Sequence, residues 1–407
     1  MSDFPGFKIK RNSRKYQTKK QRRFAAVKTV ASVLGFFALF FIGYSVAEPV
    51  VSFINGEMRA RVDSEYEASQ ASSQASSSQP AESSRAPGQG IGLHDIKAAY
   101  MPPDVLINDD RFNEFIAQAK AKGVNTAVIE VKDRSGILYY DSSVAEANSI
   151  GAVVEDAPKL SARIEALTAE GIQTIARMST FEDPLAARKI KGTAARYTKD
   201  VTSVWLDNYA EEGGKPWINP ESAEGVDYIS SLIGELAEDG AAYVMAETLH
   251  YPKGQALNLA YFGPKSNDSR INVLNDVITR LTGALAETNC KLILSYDAQD
   301  YLTDDAMVYG GSPADLSGEI IAPVILPDAF EKELTIGTTT VTDPALQPYD
   351  ITKAFTEELQ DDIAQGTELL PFVEYNNASG VQTEQLRALS ELSVAPYILY
   401  APDGRYE

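Results

Sequence analysis

Eight short apolar runs, most of them separated by helical patterns, constrain this chain more than any other feature. They are Ile96–Met101, Thr126–Val131, Thr174–Met178, Ala242–Ala246, Lys291–Tyr296, Glu319–Ile325, Leu370–Tyr375 and Ala395–Tyr400. Each has the length and composition of a buried strand. Between them, apolar residues recur at helical spacing in Arg111–Lys122, Lys159–Glu170, Ala223–Glu238, Ile271–Glu287, Ile351–Ala364 and Glu384–Leu392. Gly123, Gly171 and Gly240 stand where helices hand over to strands, as C-terminal caps do. Strands alternating with helices imply a parallel sheet. Eight of them, between Ile91 and Glu407, imply a closed (β/α)8 TIM barrel with insertions such as Ile190–Pro216. An open doubly wound sheet is the competing topology. No Gly-x-Gly-x-x-Gly or phosphate-binding loop follows a strand, and no cofactor is implied.

The region ahead of this domain has a different character. Residues 1–28 hold ten Lys or Arg against one acid, Asp3. Residues 29–47, TVASVLGFFALFFIGYSVA, are uncharged and mostly apolar. As a helix they span roughly 28 Å, close to a hydrocarbon core of about 30 Å. Basic residues before the span and acidic ones after it place the N-terminus in the cytoplasm and the remainder outside the cell membrane. A cleaved signal peptide is the alternative, since Ser45-Val46-Ala47 has small-x-small character. The apolar core exceeds the usual signal length, which favours a single-pass anchor in the lipid bilayer. Residues 48–90, rich in Ser, Gln and Ala, have almost nothing to bury and read as a flexible, disordered stalk.

The chain carries −20 overall, and the basic tail makes everything beyond it more acidic still. That balance argues against nucleic acid as a partner. The single Cys290 excludes an internal disulfide and reads as a buried thiol. Two histidines, His94 and His250, form no metal-binding pattern, and Asp297, Asp300, Asp304 and Asp305 lack the spacing of a calcium loop and read as solvated. No Gly-x-Ser-x-Gly is present.

In a barrel of this type the chemistry gathers at the C-terminal strand ends. Those ends offer Tyr100, then Glu130, Lys132 and Asp133, then Arg177, then Glu247 and His250, then Tyr296 and Asp297, and finally Glu374 and Tyr375. Acids on strands four, five and seven suit glycoside hydrolysis, which sets two carboxyl groups across the scissile bond. Aromatics beside them suit sugar faces. We take Glu247 and Asp297 as the catalytic pair and Glu374 as a third acid. Tyr100, Glu130, Lys132, Asp133, Arg177, His250, Tyr296 and Tyr375 are the substrate-binding candidates. Lys132 and Asp133 also read as an ion pair fixing the strand end, and Arg177 as a group that orients a carboxylate or bridges strands. The competing function is a carbohydrate- or wall-binding module without turnover.

From Ile96 to about Tyr400 the residues resemble a glycoside-hydrolase-type TIM-barrel domain found in bacterial surface proteins. IKAAYM opens the resemblance; GVNTAVIEVKDRSGILYY (Gly123–Tyr140), IQTIARMSTFEDPLAA (Ile172–Ala187), WINP (Trp217–Pro220) and Asp227-Tyr228 extend it. The resemblance implies a polysaccharide substrate and an acid at the end of strand four. The family usually writes Phe-Asp-Tyr-(Val/Ile)-Arg-Phe-Pro there. This chain has Ala246-Glu247-Thr248-Leu249-His250-Tyr251-Pro252, so Glu247 replaces the Asp and His250 the Arg. Asp297 matches the fifth-strand acid, and Glu374 stands where the family tends to carry Gln. A carboxylate moved by about 1 Å can cost about 10²-fold in rate.

Overall fold

The computed structural model describes residues 90–263, 270–303, 307–376 and 380–407. The basic tail, the apolar span and all but the last residue of the stalk lie outside the described residues. Among the described residues no helix is long and apolar enough to cross a membrane.

Eight parallel strands close into a barrel. They are β1 (Lys97–Met101), β2 (Thr126–Lys132), β3 (Gln173–Ser179), β4 (Tyr243–Glu247), β5 (Lys291–Asp297), β6 (Ile320–Ile325), β7 (Phe372–Glu374) and β8 (Tyr397–Tyr400). Each pairs with the next, and β8 pairs with β1. All eight apolar runs become barrel strands, and the open sheet is excluded. The seventh is broken by Pro371, which has no N–H for the ladder. Glu368–Leu369 and Phe372–Glu374 pair separately with β6 on either side of it.

The six helical patterns become α1 (Asp109–Ala121), α2 (Leu160–Ala169), α3 (Ala223–Glu238), α4 (Arg270–Gly283), α5 (Pro348–Asp362) and α6 (Val381–Glu391). The Asn108 side chain accepts the Arg111 N–H at 3.0 Å, which starts α1 two residues ahead of its apolar pattern. Ser222 caps α3 in the same way through Gly225 N–H. Gly123, Gly171 and Gly240 have φ of 68°, 77° and 103°, the left-handed backbone that ends a helix.

Residues two apart on a strand share a face. The inward set forms an apolar plug to which every strand contributes, from Ala98, Val128 and Ile175 round to Phe372 and Ile398. The outward set packs against the helices; Ile229, Leu232 and Ile233 of α3 are fully buried there. Truncating one of these to Ala would cost about 2–5 kcal/mol. Because both strand faces are covered, the runs are continuously apolar. Ile190–Pro216 is the expected insertion. It supplies Arg196–Tyr197 and Asp200–Val204 to a small antiparallel sheet completed by Ala260–Tyr261.

Candidate active site

Above the apolar plug, the inward positions turn polar. In register, Glu130 pairs with Arg177, Ser179 with Glu247, and Glu247 with Ser295. Period two then places Arg177, Glu247 and Asp297 on the same inner face. Arg177 Nη1 donates to Glu130 Oε2 at 2.6 Å, and Nη2 donates to Glu247 Oε2. The Tyr100 hydroxyl donates to Glu130, and the Arg177 guanidinium lies over the Tyr100 and Phe372 rings. Burial alone would lower the Arg177 pKa, but Glu247 and Glu130 hold it above the ordinary value. Burial raises the Glu130 carboxyl, against the pull of Arg177, and the nearby Glu247 raises it further. Glu247 Oε1 is buried without a hydrogen-bond partner among the described residues.

The turn after Glu247 is strained. Thr248, a β-branched residue, has φ of 55°. Its hydroxyl oxygen accepts the Thr180 N–H at 3.1 Å and sits 2.8 Å from Ser179 Oγ. The Glu247 carbonyl accepts both the N–H and the hydroxyl of Thr180, at 3.0 and 2.8 Å. The peptide that carries Glu247 is thus clamped to the end of β3.

Beside this turn a cleft of about 520 Å³ opens at the barrel mouth. Glu247, Asp297, His250, Glu182, Arg134 and Trp217 are among its walls. Arg134 Nη2 lies 3.5 Å from Glu247 Oε2, and its Nε lies 3.8 Å from Glu182. Burial raises the Asp297 carboxyl above the ordinary value, opposed by Arg134 and Lys253 and reinforced by Asp300 and Glu247. His250 Nδ1 lies 2.7 Å from the Tyr251 carbonyl and acts as the donor, and its ring lies between Trp217 and Tyr309. Burial, aided by Lys253, lowers its pKa to about 4, so the imidazole is neutral at physiological pH. Lys253 pairs with Asp300, which also accepts from the Tyr309 hydroxyl.

The structure brings Glu247, Asp297, His250 and Tyr296 to the cleft, with Tyr100, Glu130 and Arg177 forming the network beneath Glu247. It does not bring Glu374, Tyr375, Lys132 or Asp133 among the lining groups. Glu374 is on an inward position, but its side chain is bonded to Asn376 and feels Asp328. The Tyr375 hydroxyl donates to the Glu407 carbonyl. Tyr296 lies in register with Pro323, out of phase with Asp297; its ring joins the outer core and its hydroxyl is buried without a partner among the described residues.

The Lys132–Asp133 pair does not form. A bulge sets Glu130 opposite Arg177 but Lys132 opposite Met178, turning Lys132 out of the barrel. There, fully buried, it pairs with Asp183 at 2.9 Å and bonds the Ser179 carbonyl. Asp133 instead caps its own turn, accepting from Ser135, Ile137 and Tyr139. Burial pushes its carboxyl up, but these bonds hold it below the ordinary value. The sequence reading also missed Asp300, taken for a solvated acid, and Arg134, Glu182, Asp207, Lys215 and Lys253, which come from loops. Asp304 and Asp305 lie outside the described residues. Cys290 is buried, its thiol pushed up to about 12 by burial. Among the described residues no group of His, Cys, Asp and Glu is arranged to hold a metal ion.

Residues 98–406 match the model of the family described as "Putative glycosyl hydrolase domain". The chain belongs to this family. Among solved structures it is similar to the PgaB (BpsB) glycoside hydrolase domain from Bordetella bronchiseptica. The TM-score there is 0.53 and the identity 12%, over 76% of this chain and 94% of that one. A hypothetical protein from Ruminiclostridium thermocellum shares 18% identity over 48% of this chain and 96% of that one, with a TM-score of 0.42. At these identities the PgaB likeness is one of fold, and it agrees with the eight-stranded barrel. No curated protein matches the chain in sequence.

Proposed function

We propose that the chain is a glycoside hydrolase that cleaves a polysaccharide between Glu247 and Asp297. One observation carries this reading: two carboxyl groups from neighbouring strands enter one cleft in unlike environments. Glu247 faces two guanidinium groups, whereas burial raises Asp297. Glycoside hydrolysis needs two carboxyl groups in distinct roles, one to protonate the leaving oxygen and one to attack or to activate water. Asp297 serves as the proton donor. Glu247 serves as nucleophile, or as the base that activates water. His250, neutral and with Nδ1 committed to the Tyr251 carbonyl, offers Nε2 to a sugar hydroxyl. Residues 29–47 anchor the domain in the cell membrane and residues 48–90 hold it outside.

A second reading is a carbohydrate-binding module without turnover. The engagement of Glu247 Oε2 by both Arg177 and Arg134 favours it. Incubating the chain with a panel of polysaccharides separates the two. New reducing ends from wild type, absent with Glu247→Gln, establish hydrolysis. Equal glycan retention by both forms, with no ends released by either, establishes the binding module.

A further inference from the structure

The wall of the cleft formed by residues 207–217 carries a feature that the reaction itself does not use. Tyr209 is 60% exposed, and no hydrogen bond, ion pair or ring contact engages its side chain among the described residues. Asn208 just before it and Glu212-Gly213 shortly after it line the cleft, so the backbone that carries Tyr209 borders the cleft, though Tyr209 itself is not among its walls. An exposed tyrosine on a mobile loop would carry little meaning. This loop is fastened at every turn. Asp207 accepts the Lys215 N–H at 2.7 Å and the Trp217 indole N–H at 3.0 Å. The Asp207 carbonyl accepts the Gln255 N–H at 2.8 Å, tying the rim to the loop after β4. The Tyr209 carbonyl accepts from both Glu212 and Gly214, at 3.0 Å each. A Cβ at position 214 would lie 2.1 Å from the Asn208 carbonyl, and one at 254 would lie 2.3 Å from that of Asp207. Both positions therefore require glycine.

We infer that Tyr209 is an outer sugar subsite, stacking on a pyranose ring of the same glycan whose bond lies between Glu247 and Asp297. This rests on the hydrolase reading only in taking the cleft to hold a glycan. A phenol ring presents a flat apolar face with two rotatable bonds, so little conformational freedom is lost on binding. The fixed backbone lowers that cost further. Glu211 and Glu212 beside it disfavour a sugar carrying carboxylate or sulfate, so the ring it takes is neutral or cationic.

The test uses the detergent-solubilised full chain, sedimented with cellulose, chitin, β-1,3-glucan or isolated peptidoglycan. Tyr209→Ala should weaken retention by about tenfold on the glycan that wild type binds. Tyr209→Phe, which keeps the ring, should bind like wild type. So should Leu346→Ala, a control at an exposed apolar residue outside the cleft walls. Equal retention of wild type and Tyr209→Ala overturns the subsite and leaves the hydrolase reading intact. Retention that depends on Tyr209, without release of reducing ends by wild type, sinks the hydrolase reading and keeps the subsite. No retention of wild type on any of the four overturns both.

Discussion

The floor and the wall of the cleft are built by opposite means. The floor is made of strand side chains, Tyr100, Glu130, Arg177 and Glu247, whose charges meet in pairs away from water. The wall is made of loops, with Arg134, Lys215 and Lys253 projecting from turns whose backbones are pinned by Asp133, Asp207 and glycine. In the floor, position is set by the barrel, and the low dielectric makes each charge matter. In the wall, position is set by turn chemistry, and charges lie closer to solvent. The floor therefore governs electrostatics at the scissile bond, and the wall governs which chain fits.

The largest effect expected from this division is on turnover. Glu247→Gln removes the floor carboxylate while keeping its shape, and should lower reducing-end release by about 10²–10⁴-fold. Glu374→Gln, outside both floor and wall, should retain near-wild-type rates in the same assay. Comparable losses for the two would mean that the site extends across the barrel mouth to β7.

Stability should divide the same way. Arg177→Met leaves Glu130 buried without its cation and Glu247 with only the more distant Arg134, and should cost about 3–5 kcal/mol in urea unfolding. Arg134→Met removes a half-exposed guanidinium and should cost less than about 1 kcal/mol. Equal costs would erase the distinction between floor and wall.

The floor was legible in the sequence, and the wall largely was not. Strand ends can be found from apolar periodicity, so Tyr100, Glu130, Arg177, Glu247 and Asp297 follow from counting. Even here a bulge matters: one extra residue at Val131 turned Lys132 away from the face that alternation assigns it. Pro371 divided a strand whose composition reads as continuous. The wall depends on where a loop returns in space. Arg134 reaches Glu247 only because the Asp133 turn folds back, with Gly136 at φ 87° packed against Asp183. Asp300 looked solvated because its partner, Lys253, is distant in sequence. The strain at Thr248 has no sequence signal at all, since the left-handed backbone falls on a residue that disfavours it.

His250 provides a pH test of the wall. Its folded pKa of about 4 lies below the unfolded value near 6.5. The contribution to stability is complete above about pH 6.5 and is lost as pH falls through about 4, because the unfolded chain takes up the proton first. Unfolding free energy of wild type should therefore drop across that window by more than that of His250→Gln, which cannot titrate. Parallel curves would mean that the imidazole is hydrated in the folded state, and that the wall is looser around Trp217 and Tyr309 than the packing indicates.

The smallest effect expected separates function from stability at Asp297. Burial raises its folded pKa, so the folded protein binds that proton more tightly than the unfolded chain. The favourable contribution is fully present below the unfolded pKa, near about 4, and is lost as pH rises through the folded value. Ionising Asp297 in the folded protein therefore carries a net cost, since the attractions of Arg134 and Lys253 fall short of the burial penalty and the repulsion from Asp300 and Glu247. Asp297→Asn resembles the protonated form and escapes that cost. It should be at least as stable as wild type at neutral pH, with the advantage shrinking as pH falls toward 4, while turnover is lost. A variant less stable than wild type at neutral pH would show that Arg134 and Lys253 outweigh burial. Asp297 would then not serve as the proton donor, and the proton for the leaving oxygen would have to come from another acid of the cleft, for which Glu182, raised by burial, is placed.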